Sequence, residues 1–208
     1  LMRDVVVQDQ MTISVSAIGI VQPRSRAILR DNLREGDVIL GFPAPSLQTN
    51  GFTLARDIVA QLPDRYLTRI FAAGRERVLG EVLLRRSQTY TKEIAALLDQ
   101  GVPIHYASHL SGGGWQKIKR APQEFTYEIT NVPNPPEVFR FLQEAGSISD
   151  EEAYRTWNMG VGFVIFVSEQ EVKRIIELCR RVGTEVIELG YVRQGPRQVV
   201  LAKNNLAW

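Results

Sequence analysis

The sequence predicts an α/β (α+β) fold in which helices flank a mixed β-sheet, and three observations carry that expectation. Short apolar runs rich in β-branched residues recur along the chain, residues 37–42 and 161–167 being the plainest. Between them stand stretches with apolar side chains at every third or fourth position, the spacing of amphipathic helices. Glycine or proline marks most junctions, where turns and helix ends need them. Alternation of the two patterns packs helices against a sheet. A chain of 208 residues, 44% hydrophobic, can bury one substantial core, or one core with a small appendage.

In chain order, residues 11–21 form a mostly apolar run ended by Gln22-Pro23 and read as a strand, followed by a polar linker over 24–36. Residues 37–42 read as a short buried strand and 43–51 as a loop. A helix over 52–61 puts Phe52, Ala55, Ile58 and Val59 on one face and is stopped by Pro63. Helical spacing also predicts helices over 75–84 and 89–98, the second closed by Gly101. Residues 102–110 are a strand candidate that feeds three successive glycines, 115–120 supply one or two helical turns, and 125–129 alternate as a strand.

Pro135-Pro136 opens a helix to Ala145 that Gly146 closes, since proline suits a first helical turn. Ser149 with Glu152, and Ser168 with Glu171, have capping-box spacing. They predict a helix through Trp157 and another over 169–182, with a buried strand at 161–167 between them. Val172, Ile175, Ile176, Cys179 and Val182 share one face of the second helix, which makes the single cysteine a packed core thiol. Strands over 185–192 and 198–202, joined at Gly195-Pro196, finish the pattern.

Lys and Arg number 25 against 23 Asp and Glu, a net charge of +2, too small an excess to bind nucleic acid by bulk charge. Apolar runs fall far short of the roughly 20 residues of a membrane helix, so no span is expected. One cysteine allows no intrachain disulfide, and with no signal-peptide order at the start the expected compartment is the cytoplasm. Because the chain opens on Leu1 and enters a strand-like run at once, it is expected to be a fragment, to carry a tag remnant, or to have lost an upstream half.

Three loops carry the candidate chemistry. The first runs from Gly41 to Gly51 between a strand and a helix, whose positive end can hold a phosphate while Ser46, Gln48, Thr49 and Asn50 add donors. An ordinary connection capped by Thr49 or Asn50 is the alternative. The second is His109-Leu110-Ser111-Gly112-Gly113-Gly114, where successive N–H groups of a glycine turn can form an anion nest, helped by Lys117, Lys119 and Arg120. It is neither a Walker loop nor a dinucleotide fingerprint. The third is Asn158-Met159-Gly160-Val161-Gly162, either a hinge that aims the Asn158 amide into a cleft or a tight turn that needs small residues. His105 and His109 share a strand face but lack neighbouring ligands, so no metal site is expected.

The runs SHLSGGGWQKIKRAP (108–122), PPEVFRFLQEAGSISDEEAYRTWNMGVGFVIFV (135–167) and EGDVILGFPAPSLQTNGFTLARDIV (35–59) resemble the C-terminal domain of the aminoimidazole ribonucleotide synthetase family, the phosphoribosylformylglycinamidine cyclo-ligases. The likeness runs in order over residues 13–201. It implies an ATP-dependent ring closure in purine biosynthesis, in which a formyl oxygen is phosphorylated and a nitrogen attacks to close the imidazole. ATP and Mg2+ would be held mainly by an N-terminal domain that this chain does not contain. The partners implied are a phosphoribosyl-type substrate, that missing domain or a second chain, and a homodimer when complete, with no nucleic acid and no membrane.

On this reading residues 1–35 are a leading strand and linker, 36–203 the synthetase-like domain, and 204–208 a tail. The expected substrate and phosphate residues are Ser46, Gln48, Thr49, Asn50, Gly51, His109, Ser111, Gly112, Gly113, Gly114, Asn158 and Gly160, with no catalytic residue assigned. Asn50, Gly51, His109, the three glycines, Asn158, Gly160 and Gly162 match the family. Ser46 stands for its usual glycine, Gln48 for its histidine, and Lys117 and Lys119 for its asparagine and proline. Gln48 hydrogen-bonds but carries no proton, so a non-catalytic paralogue or binding module is the second reading.

Overall fold

The computed structural model describes residues 15–208. Nine strands and six α-helices are assigned among them: β1 (Val38–Pro43), α1 (Phe52–Ala60), β2 (Arg69–Ala72), β3 (Arg75–Val78), α2 (Leu79–Leu83), α3 (Thr91–Asp99), β4 (Tyr106–His109), β5 (Phe125–Ile129), α4 (Glu137–Gly146), α5 (Asp150–Thr156), β6 (Val161–Val167), α6 (Val172–Arg181), β7 (Ile187–Gln194), β8 (Gln198–Leu201) and β9 (Leu206–Ala207). Seven strands form one sheet in the order β4-β6-β1-β7-β5-β8-β9, and β2 and β3 form a separate hairpin. Every pairing is antiparallel except β5 with β8, which makes the sheet mixed.

Strand alternation explains the two cores on either side of that sheet. On β1, Ile39 joins one core while Val38, Leu40 and Phe42 join the other; on β6, Val164 and Phe166 oppose Ile165 and Val167. The larger core takes the apolar faces of α1, α2, α4, α5 and the hairpin, and the smaller takes α3 and α6. Val172, Ile175 and Cys179 are buried along α6, as the spacing requires. Burial pushes the Cys179 thiol up to about 11, with Glu93 a lesser cause. A thiol-alkylating reagent at neutral pH is therefore expected to modify native Cys179 at least about a hundredfold more slowly than the urea-unfolded chain. Equal rates, read by mass spectrometry, would place the thiol outside the core.

Several expectations need correction. Residues 11–14 of the first strand lie outside the described residues, and the rest of it pairs with no sheet: Val15, Ile18, Ile20 and Val21 are exposed. Helical spacing over 75–84 is misleading in its first half. Ala73 and Gly74 both take positive φ, 53° and 76°, the geometry of a two-residue hairpin turn. Residues 75–78 consequently pair with 69–72, and only Leu79–Leu83 is helical. In 102–110 the ladder starts at Tyr106. Ser149 accepts from the Glu152 amide at 3.2 Å, but the Glu152 carboxylate turns to Thr156 instead of completing the box. Ser168 caps nothing with its side chain, because a 3-10 turn over Glu169–Glu171 precedes α6.

At the carboxyl end, β7 and β8 run in opposite directions but do not pair, since β5 lies between them. The turn through Gly195 and Pro196 passes over the end of β5, where Thr126 Oγ1 donates to the Pro196 carbonyl at 2.9 Å.

Candidate functional site

Sheet order brings the three loops together. β1 and β4 both run antiparallel to β6 and flank it, so the carboxyl ends of β1 and β4 meet the amino end of β6 at one edge of the sheet. From that edge leave the 44–51 loop into α1, the 110–114 loop into a 3-10 turn (Gly114–Arg120), and the 157–160 turn joining α5 to β6. Backbone bonds tie the bases: Ala44 N–H donates to the Gly160 carbonyl at 2.8 Å and Leu110 N–H to that of Gly162 at 2.9 Å.

Side chains then stitch the loops to each other. Asn158 donates from Nδ2 to the Ser46 carbonyl at 3.1 Å and accepts at Oδ1 from the Gly160 amide at 2.8 Å. Trp115 Nε1 donates to the Asn158 carbonyl and Trp157 Nε1 to the Gly51 carbonyl, both at 3.0 Å. These indoles are fully buried, so their N–H groups need such partners. Two glycines mark contacts that a side chain would destroy. A Cβ on Gly114 would lie 2.0 Å from the Tyr154 carbonyl oxygen, and one on Gly112 would lie 2.8 Å from Asn50 Cβ. Asn50 and the triple-glycine turn thus face each other at contact distance.

The twelve expected residues divide into an outer and an inner set. Thr49, Asn50, His109 and Gly113 are exposed, and Gly51 and Gly112 half-buried. Among the described residues, the amides of Asn50, Gly51, Gly112 and Gly113 donate to no backbone carbonyl, and they lie beside the amino end of the nine-residue helix α1. This group can present N–H donors and a helix dipole to an anion.

Ser46, Gln48, Ser111, Gly114, Asn158 and Gly160 are buried and shape the loops from behind. Ser46 Oγ donates to the Val82 carbonyl at 3.1 Å, Gln48 Nε2 to Tyr90 Oη at 2.9 Å, and Tyr90 Oη to the Pro43 carbonyl at 3.1 Å. Ser111 Oγ accepts from Lys117 Nζ. Both ends of the Asn158 amide are occupied within the fold, so it locks a tight turn and aims into no cleft.

A cleft of about 640 Å³ adjoins the outer set, lined by Gln48, Thr49, Thr89, Tyr90, His109 and Phe163 with part of α3. Burial, and secondarily Lys117, holds the His109 imidazole below its usual range. That favours the neutral ring, which can hydrogen-bond without adding charge. Burial keeps the Tyr90 hydroxyl protonated through the physiological range, Glu93 assisting. His105 plays a different part, since its Nδ1 lies 2.8 and 2.9 Å from the two Asp37 oxygens and forms an internal pair at the opposite end of β1 and β4, away from the loops. No group of three or more His, Cys, Asp or Glu side chains able to hold a metal occurs among the described residues. Tyr90, Phe163 and the two tryptophans escape a reading of sequence spacing. Only the scarcity of tryptophan, three in the chain, hints at the indole contacts.

A mixed sheet with helices on both faces and glycine-bearing loops at one edge defines an α+β domain found in several solved structures. Thiamine-monophosphate kinase from Stenotrophomonas maltophilia K279a superposes with a TM-score of 0.58 at 15% identity, covering 88% of this chain and 55% of that one. Hydrogenase maturation protein HypE superposes with a TM-score of 0.54 at 14% identity, covering 89% and 55%. At such identities the likeness is one of fold. The chain belongs to the AIR synthase related protein, C-terminal domain family, which matches residues 34–203.

Among curated relatives, the phosphoribosylformylglycinamidine cyclo-ligase of Alkaliphilus oremlandii (strain OhILAs) is 34% identical over 188 residues, 89% of this chain and 54% of the relative. That of Enterococcus faecalis (strain ATCC 700802 / V583) is 30% identical, over 99% of this chain and 59% of the relative. The chain spans a little over half the length of these relatives. No helix among the described residues is long and apolar enough to cross a membrane.

Proposed function

We propose that this chain is the C-terminal half of a cyclo-ligase-like protein of purine biosynthesis, and that Asn50 and the Gly112-Gly113-Gly114 turn hold the phosphate of a phosphoribosyl substrate. The contact between Gly112 and Asn50 carries the reading, because it sets two groups of free amides around one small space at the amino end of α1. Thr49 and His109 border that space and supply side-chain hydrogen bonds toward the cleft where the rest of a substrate lies. ATP supplies the phosphoryl group that activates the formyl oxygen in the family reaction. Mg2+ needs several oxygen ligands, carboxylates above all, and the twelve loop residues include no carboxylate. An N-terminal domain is the expected source of those ligands and of the partner surface in a cytoplasmic homodimer.

One observation favours a second reading, a binding module without catalysis. Gln48 replaces the histidine of the family loop, and its amide donates to Tyr90 in the wall of the cleft, where it carries no proton. Titrating the chain with ribose 5-phosphate by calorimetry tests the site itself: saturable heat is expected, weakened about tenfold by Asn50→Ala. No heat would end both readings. Joined to the N-terminal domain of a relative, the chain is expected to form the imidazole product from ATP. Binding without turnover in that protein would leave the module.

A further inference from the structure

We infer that the cleft between the β2–β3 hairpin, the end of α2 and the start of α4 binds a phosphorylated small molecule, at a site separate from the glycine loops. The cleft measures about 710 Å³, within the range of small-ligand sites. Nothing from residues 48–51 or 109–114 lines it. Three arginines line it from three separate elements: Arg77 from β3, Arg85 from just beyond α2, and Arg140 from α4.

Two facts make these arginines unusual. Arg77 Nε is buried and has no hydrogen-bond partner, a costly state for a charged donor. The local carboxylates also leave them unpaired. Glu81 precedes Arg85 by four residues and Glu137 precedes Arg140 by three, spacings that commonly close on a helix. Among the described residues neither pair closes, and Arg77, Arg85 and Arg140 make no ion pair with any carboxylate. Three arginines against two glutamates leave the lining one unit positive.

A guanidinium offers a planar fork of donors that matches phosphate oxygens two at a time. A phosphate brought into the cleft offers the three unpaired guanidinium groups an anion and relieves their mutual repulsion. Pro45, Pro135, Pro136 and Val138 line the same space, an apolar wall for the body of the ligand.

Inorganic pyrophosphate, titrated calorimetrically at low salt, is the probe. Saturable binding is expected with a dissociation constant of about 1 mM or tighter, weakening as salt is added. Arg77→Gln and Arg140→Gln should each weaken it about tenfold, with Arg77→Lys intermediate because charge is kept and the fork lost. Arg140 is exposed, so its variant tests the site even where Arg77→Gln lowers the melting temperature. The heat that the arginine variants remove is the heat that survives Asn50→Ala, which separates this cleft from the glycine loops. No heat, full binding by the Arg77→Gln/Arg140→Gln double variant, or equal binding of malonate in place of pyrophosphate would overturn the assignment.

Discussion

Alanine at Gly114 is expected to destabilise the fold by about 3 kcal/mol or more, or to prevent folding. The new Cβ would meet the Tyr154 carbonyl oxygen at 2.0 Å and the Arg155 carbonyl carbon and oxygen at 2.8 Å. All three are backbone atoms, so relief requires the 3-10 turn to separate from α5. Trp115 is packed edge-on to Tyr154 at 5.7 Å across that same seam and would lose its contact. Gly114 also holds φ at +51°, which costs an alanine about 1 kcal/mol or more. Gly113→Ala is the internal control, since its φ is +91° but its nearest neighbour is the flexible Lys117 Cε at 3.6 Å. Urea unfolding should show a cost of only about 1 kcal/mol there. Equal shifts for the two variants would mean that close packing against α5 is not what excludes a side chain at 114.

Asn158→Ala is expected to cost about 2–4 kcal/mol, the loss of two hydrogen bonds to groups that stay buried. The Ser46 carbonyl and the Gly160 amide would both be stranded, and the 44–51 loop would lose one of its three ties to the 157–160 turn. Affinity of the outer loop residues for ribose 5-phosphate should fall with stability, although Asn158 itself is buried away from the cleft. Asn158→Asp keeps the acceptor toward Gly160 but sets a buried carboxylate against the Ser46 carbonyl, so a cost at least as large is expected at neutral pH. Affinity lost with no change in the urea midpoint would instead make Asn158 a direct ligand.

Much of the sheet is legible in sequence because its central strands are buried on both faces. Val161–Val167 is an unbroken apolar run, and β5 alternates as a half-covered strand does. The hairpin at 69–78 is hidden because its turn, Ala73-Gly74, sits inside a stretch whose charges also suit a helix. Glycine clusters mark the chain segments that leave the sheet as loops, since backbone conformation and close approach are local demands. What turns each side chain inward or outward is not local. Gln48 finds Tyr90 42 residues away and Trp157 finds Gly51 106 residues away. No spacing rule reaches that far, so spacing alone cannot separate the inner residues from the outer ones.

The placement of β5 between β7 and β8 also has a kinetic meaning. Joined by a short turn and running in opposite directions, β7 and β8 would ordinarily zip up on their own as soon as they were made. Here that shortcut is closed, because the neighbour each needs is a segment some sixty or more residues upstream. Entry of β7 and β8 into the sheet therefore depends on contacts of high sequence separation with β5, the kind that slow folding, while only the β8–β9 pair is local.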